Sequence, residues 1–318
     1  MSDSSQTDAD FPVPPAKLVV VGLGLIGGSL AAGFKQAAKD HSLNPAQNRE
    51  VIAVVRRQQT ADYALAKHIV DRAFLSLNDI APELKQGDIV VIAVPTLSVE
   101  HVIADVKKLV NDKVTITDGA SVKGSVLDSI KSIYGFVPPQ FVLGHPIAGS
   151  EESGVEATNP NLYHNHRVIL TPVDETGPEH IERVSALWKT VGAEVLSMPV
   201  EEHDDVLAAT SHLPHAIAYS LVDTLANDSE NENIFRYAAG GFRDFTRIAS
   251  SDPKMWHDIM CANSESVLDA IDLFQNNLKH LRQAIADKDS DALLDIFSRA
   301  KAARDHFSSL INKKLNEQ

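Results

Sequence analysis

The feature that most constrains this chain is a β-branched run, Leu18 to Val21, that feeds directly into GLGLIGGSLAAGF. Hydrophobicity is continuous before the glycines and helix-compatible after them, which predicts strand, tight turn and helix in succession. Gly22 then permits the turn, Gly24 lets a diphosphate approach the backbone, and Gly27 lets the helix pack close to the strand. Unpaired N–H groups at the helix start face the phosphates. A second apolar run, Val51 to Val55, follows where the next parallel strand belongs. Together these point to a nicotinamide or flavin dinucleotide site, against the competing reading of a coincidental turn or a Rossmann scaffold without ligand.

The exit of that second strand usually carries an acid that binds the ribose diol. Here it reads VVRRQQT, and Val55 cannot accept hydrogen bonds from hydroxyls. Arg56, Arg57 and Thr60 offer guanidinium and hydroxyl groups suited to a 2′-phosphate, so NADP is expected to be tolerated or preferred beside NAD. The plainer alternative is that both arginines only solvate the strand exit.

Further strands are expected at Ile89 to Val94, Thr115 to Thr117 and Phe141 to Leu143, with helices after the first two. Val168 to Leu170 and Glu194 to Leu196 are expected as outer strands around a helix from His180 to Thr190. Alternation of this kind predicts an α/β Rossmann-type domain with a mostly parallel sheet. From Pro199 the pattern turns helical, and Val267, Leu268, Ile271, Phe274, Leu278, Leu281 and Ile285 share one broad helix face. That stripe suits a bundle core or a homodimer interface. With 318 residues, the chain is expected to hold a disordered lead at 1–16, a dinucleotide-binding domain at 17–198 and an all-α substrate and dimerisation domain at 199–318.

Charge narrows the partners. Lys and Arg number 29 against 43 Asp and Glu, a formal net charge of −14 that repels nucleic acid and anionic membrane. The single cysteine, Cys261, excludes an intrachain disulfide, fits a reducing compartment, and is expected as a buried thiol. The N-terminus carries Asp3, Asp8 and Asp10 without a basic residue, unlike a signal peptide, and no apolar run approaches the ~18 residues of a membrane span. A cytoplasmic location is expected.

His145, in the glycine-rich loop GHPIAGSEESG expected to follow a strand, can accept the proton released when an alcohol loses hydride; a structural histidine is the alternative. Ser121, in ASVKG, can orient His145, bind a substrate hydroxyl or cap a helix. His203, His212 and His215 lie in one helical neighbourhood, but nine residues separate the first two, so the three do not point alike. No metal is expected, since HExxH and paired cysteines are absent; His215 is favoured as a polar substrate contact. In GGFRDFTRIASSDPKMW, Arg243 and Arg247 are spaced i,i+4 and one can grip a carboxylate, or can pair with Asp244. Asp252 and Pro253 read as the cap and first residue of a helix, and Trp256 as local core.

The motifs GLGLIGGSLA, DGASVKG, GHPIAGSEESG, SHLPH and GGFRDFTRIASSDPKMW, in this order, resemble the prephenate and arogenate (cyclohexadienyl) dehydrogenase family of tyrosine biosynthesis, from Leu18 through the terminal helices. The resemblance implies His145 as catalytic base and Ser121 as its orienting partner. Arg247 would bind the ring carboxylate, His215 would face the substrate, and Ser150 would lie at the other end of the pocket. It implies NAD(P)-linked oxidative decarboxylation of prephenate to 4-hydroxyphenylpyruvate, or of arogenate to tyrosine, with dimerisation through the helical domain. Inhibition by tyrosine at the active site is an expectation from the ring and polar tail that product and substrate share. Many members carry Asp where this chain has Val55, which leaves strict NAD specificity open. No residue decides between a keto and an amino-acid side chain. A Rossmann β-hydroxyacid dehydrogenase would account for the two halves but not for all the motifs. A nonenzymatic dinucleotide sensor would leave His145 and Ser121 idle.

Overall fold

The computed structural model describes residues 15–39, 49–150, 152–227 and 239–316. The lead expected at 1–16 therefore lies almost wholly outside the described residues.

The first sheet is parallel throughout. β1 (Lys17–Val21), β2 (Glu50–Val54), β3 (Arg72–Phe74), β4 (Ile89–Ile92), β5 (Thr115–Asp118) and β6 (Phe141–Val142) lie in the order β3-β2-β1-β4-β5-β6. Helices α1 (Leu25–Lys39), α2 (Gln58–Ala66), α3 (Val99–Leu109) and α4 (Gly124–Tyr134) connect them. Side chains alternate along each strand, so both faces need cover. Leu18 and Val20 of β1 join a core with Leu30, Phe34 and Trp188, while Val19 and Val21 join another with Ile103 and Ile130. The strand order reverses between β1 and β4, and ligands of such sheets bind in the crevice beyond the strand ends at that reversal.

A second sheet departs from the expected arrangement. The strands foreseen as outer additions, here β8 (Arg167–Leu170) and β9 (Glu194–Ser197), pair not with the first sheet but with β7 (Gly144–Ile147), in the order β7-β8-β9. α5 (Pro178–Thr190) runs between β8 and β9. His145 thus sits on a strand rather than in the loop its glycine-rich surroundings suggested. Pro146 is tolerated there because β7 is an edge strand, where the missing N–H costs no central ladder bond.

The remaining described elements are helical: α6 (Val200–Leu207), a π-turn at Ala208–His212, α7 (Leu213–Ala226), then helices Gly240–Thr246, Pro253–Ala262, Ser264–Ala286 and Ser290–Asn316. The Asp252 carboxylate caps Pro253–Ala262 by accepting from Met255 N at 2.9 Å, as its Asp-Pro sequence predicts. Cys261, expected to be buried, is exposed on that helix.

The chain divides into two compact units, Met1–Ser264 and Glu265–Gln318. In the second unit, Val267 is buried, but Leu268, Leu278 and Ile285 of the apolar stripe are 59%, 49% and 58% exposed, so the stripe does not close a core within the unit. Among the described residues no helix is long and apolar enough to cross a membrane.

Candidate active site

The glycine loop joins β1 to α1. Gly22 has φ +97°, and a Cβ there would fall 2.5 Å from the Ala93 carbonyl oxygen; a Cβ on Gly27 would fall 2.1 Å from the Gly22 carbonyl oxygen. Both are glycine for lack of space. Gly24 differs: a Cβ there would meet nothing within 4 Å, so its backbone faces open space beside the first turn of α1. A fifteen-residue helix whose start adjoins such an opening fits a diphosphate, and the residues present therefore suit a dinucleotide. Val55, after β2, is buried; Arg56 and Arg57 are exposed, and among the described residues neither guanidinium is ion-paired, while Thr60 lies in the first turn of α2.

The end of β5 comes close to this loop. A Cβ on Gly119 would lie 3.3 Å from Ile26 Cγ2, on α1, and 3.8 Å from Pro146 Cδ, next to His145. Here a buried polar network begins. The fully buried Lys123 ammonium pairs with the Asp118 carboxylate and donates to the Gly144 carbonyl at 2.6 Å. Its backbone N–H donates to Asp204 Oδ1 at 2.9 Å, and Gly124 N–H donates to Oδ2 at 2.7 Å. His203 Nδ1 lies 2.7 Å from Asp204 Oδ1, and His203 Nε2 lies 2.9 Å from His145 Nδ1. Asp118, Lys123, His145, His203 and Asp204 are all at most 9% exposed.

Burial, reinforced by His203, Lys123 and His212, holds His145 well below the usual histidine range, so its ring is neutral at physiological pH. Burial also lowers Lys123, with Asp118 opposing. Burial pushes Asp204 up, but hydrogen bonds from His203 and from the Lys123 and Gly124 amides outweigh it and keep the carboxyl ionised.

The structure separates the sequence-derived candidates. His145 is joined to His203; among the described residues Ser121, between β5 and α4, makes no hydrogen bond to it. His203 and His212, which an unbroken α-helix would set on opposite sides, share one neighbourhood: Asn263 Nδ2 donates to Asp204 O at 2.9 Å and to His212 Nδ1 at 3.2 Å. The π-turn absorbs an extra residue and rotates the helix beyond it by about a quarter turn. Burial lowers His212 to about 4. His215 stacks on Trp256, centroids 3.6 Å apart, and donates from Nδ1 to Ser211 O at 2.8 Å. Trp256 is buried against Val122 and Ile259, so it is both core and platform. Arg247, itself exposed, opens the 3-10 turn Arg247–Ser250, which Tyr219 of α7 pins by donating to Ser251 O at 2.6 Å; Arg243 pairs with Asp244 at 3.5 Å on the surface. Ser150 is exposed and accepts from Glu152 N at 3.2 Å. Sequence reasoning did not single out Asp118, Lys123 and Asp204; two signals were present, a lysine and an aspartate flanking DGASVKG's small residues and a His-Asp pair at 203–204.

A parallel sheet whose strand order reverses beside the glycine loop, a loop that accepts a diphosphate and a neutral buried histidine define a dinucleotide-dependent dehydrogenase. Comparison with known proteins specifies which kind. Residues 43–197 match the family model "Prephenate dehydrogenase, nucleotide-binding domain" and residues 199–299 match "Prephenate dehydrogenase, dimerization domain". The chain is 36% identical over 290 residues to the cyclohexadienyl dehydrogenase of Zymomonas mobilis, covering 90% of this chain and 94% of that one. It is 36% identical over 299 residues to the prephenate dehydrogenase of Bacillus subtilis, covering 91% and 75%. The crystal structure of prephenate dehydrogenase from A. aeolicus, in complex with hydroxyphenyl propionate and NAD+, superposes with TM-score 0.83 at 34% identity over 92% of this chain and 98% of that one. The chain belongs to the prephenate dehydrogenase family: it is an NAD(P)-dependent oxidoreductase of prephenate or arogenate in tyrosine biosynthesis.

Proposed function

We propose that His145 is the proton acceptor of this oxidation, that the Gly22–Gly27 loop seats the dinucleotide diphosphate, and that the Arg56, Arg57 and Thr60 side chains admit NADP as well as NAD. The observation that carries the reading is the neutral, buried His145 ring, whose Nδ1 is engaged by His203 while Nε2 has no hydrogen bond among the described residues.

NAD(P)+, when bound, supplies the hydride acceptor. As hydride leaves the ring carbon bearing the hydroxyl, His145 Nε2 takes the hydroxyl proton. The electron pair of the carbon–carboxylate bond moves through the ring onto the former hydroxyl oxygen, carbon dioxide departs, and the ring becomes an aromatic phenolate that recovers the proton from His145 as the phenol. Ser121 supports the hydroxyl end, Arg247 holds a carboxylate through its planar fork, and His215 and Ser150 line the substrate's path. His215 is suited to this by a half-buried ring held face-on against Trp256.

The exposed stripe Leu268, Leu278 and Ile285 supports dimerisation through the helical domain, since an apolar helix face of this kind needs a partner. The functional boundary is proposed at 198/199, where the two family matches meet. Tyrosine shares its ring and polar tail with the substrates and is proposed to compete at the same site. The test is a matrix of prephenate or arogenate with NAD or NADP, monitored by reduced-cofactor absorbance and carbon dioxide release, with added tyrosine as a further arm. Turnover with both cofactors on at least one cyclohexadienyl substrate is expected. Reduction only with linear β-hydroxy acids would move the chain to the other dehydrogenase class.

A further inference from the structure

Asp204 occupies a seat built for an anion. α4 begins at Gly124 with no side-chain cap of its own: Lys123 precedes it and makes no capping bond. The first amides of the helix, Lys123 N–H and Gly124 N–H, instead meet the carboxylate that α6 delivers, at 2.9 and 2.7 Å. A carboxylate is favoured there by the unpaired N–H groups and by the helix dipole. Position 124 must stay small for this, since a Cβ would fall 2.9 Å from Asp204 Oδ2.

An ionised carboxylate can only accept. The nitrogen facing Asp204, His203 Nδ1 at 2.7 Å, is therefore the protonated one, and in the neutral ring Nε2 is then a bare acceptor. That acceptor faces His145 Nδ1 at 2.9 Å, so His145 in turn carries its proton on Nδ1 and leaves Nε2 with a lone pair. We infer that Asp204 and His203 are positioning residues that set the tautomer of His145, so that the base is presented through Nε2 rather than blocked by a proton there. The inference rests on the proposed role of His145 as base. The buried ring pair, with centroids 5.1 Å apart and planes at 67°, leaves neither histidine free to turn and choose another partner. Among the described residues, the other charged or titratable groups acting on the pair are Lys123 at the start of α4, with Asp118 of β5 paired to it, and His212 of the π-turn.

The test uses two variants of the 318-residue chain. His203→Phe keeps a ring of similar shape and removes both nitrogens; Asp204→Asn removes the charge and forfeits at least one of the bonds to His203, Lys123 or Gly124. Histidine side-chain nitrogen NMR on the protein without substrate reads the tautomer directly. Wild type should show His145 protonated on Nδ1, and both variants should show the Nε2–H form populated. A triad base held in the wrong tautomer loses about 10⁴-fold in kcat, and here each variant should lose about 10²-fold or more, with NAD(P) Kd unchanged. In a His145→Asn background the same changes should cost almost nothing further, because residues acting as one unit are not additive. An unchanged His145 tautomer in folded His203→Phe overturns the inference, as do losses that multiply with that of His145→Asn. A changed tautomer with unchanged kcat would leave the relay standing and remove His145 from the role of base. Should Asp204→Asn fail to fold, His203→Phe, which leaves the α4 amides capped, decides alone.

Discussion

The Gly22–Gly27 loop and the His145 site are made of different materials. The loop works through backbone: its N–H groups and the start of α1 face the ligand, and none of its side chains titrates. The His145 site works through side chains, with Asp118, Lys123, His145, His203 and Asp204 buried together. The loop comes from one continuous segment, whereas the site is gathered from β5, the start of α4, β7 and α6. The loop therefore depends on whether a Cβ has room, and the site on whether each buried charge keeps its partner.

Substitutions can break this contrast, and the largest effect is expected at the charge pair. Lys123→Met would leave Asp118 buried without its cation, which should cost about 3–5 kcal/mol of stability in urea unfolding. A loss within the range of surface substitutions would show that the pair does not organise the site. Next come two glycines of one motif. Gly22→Ala must adopt φ +97° with its Cβ against the Ala93 carbonyl, a strain of about 1–3 kcal/mol that should lower stability and cofactor affinity together. Gly24→Ala should leave the melting temperature alone and weaken only NAD(P) binding, because its Cβ enters open space. Equal melting losses in both would deny that Gly24 is kept small for a ligand.

Acid should act on the histidine site and not on the loop. His145 and His212 are held below the unfolded value of about 6.5, so the unfolded chain binds more protons as pH falls beneath it. Their contribution is fully present above about pH 6.5 and is lost as pH falls toward the folded values, each group adding up to about 1.4 kcal/mol per pH unit. Chemical unfolding at stepped pH should show stability falling from 6.5 toward 4, and His212→Asn should flatten that slope; an unaltered slope would assign it to other groups. The smallest effect is at the strand exit. Val55→Asp with Arg56→Ala should shift the NAD to NADP ratio of kcat/KM about tenfold or more toward NAD, through loss of one charge-assisted bond and gain of a diol acceptor. An unmoved ratio in the folded double variant would leave the arginines as solvating groups.

The same contrast explains what could be read from the chain beforehand. β1, the glycine turn and α1 are adjacent in sequence and follow local rules, and their positions were legible. His145 was legible as a candidate, but its strand was not, because Gly144 and Pro146 carry loop character that only an edge position reconciles with pairing. Its partner was hidden by distance: His145 and His203 are 58 residues apart, and the π-turn that re-phases His212 has no periodic signature. Lys123 is not legible in the sequence because a buried lysine is exceptional, and its pairing with Asp118 exists only once β5 and α4 are folded.

The central claim is that a neutral His145 takes the proton. Its most direct measurement is the pH profile of kcat for wild type and His145→Asn, with NAD(P) Kd measured beside it. Wild type should hold its activity through pH 6.5 and fall only below, since the base is depressed and must be unprotonated. His145→Asn should keep cofactor affinity and lose about 10²–10⁴-fold in kcat, with that acid limb gone. Near wild-type kcat in the folded variant, or an acid limb that survives unchanged in it, would contradict the assignment.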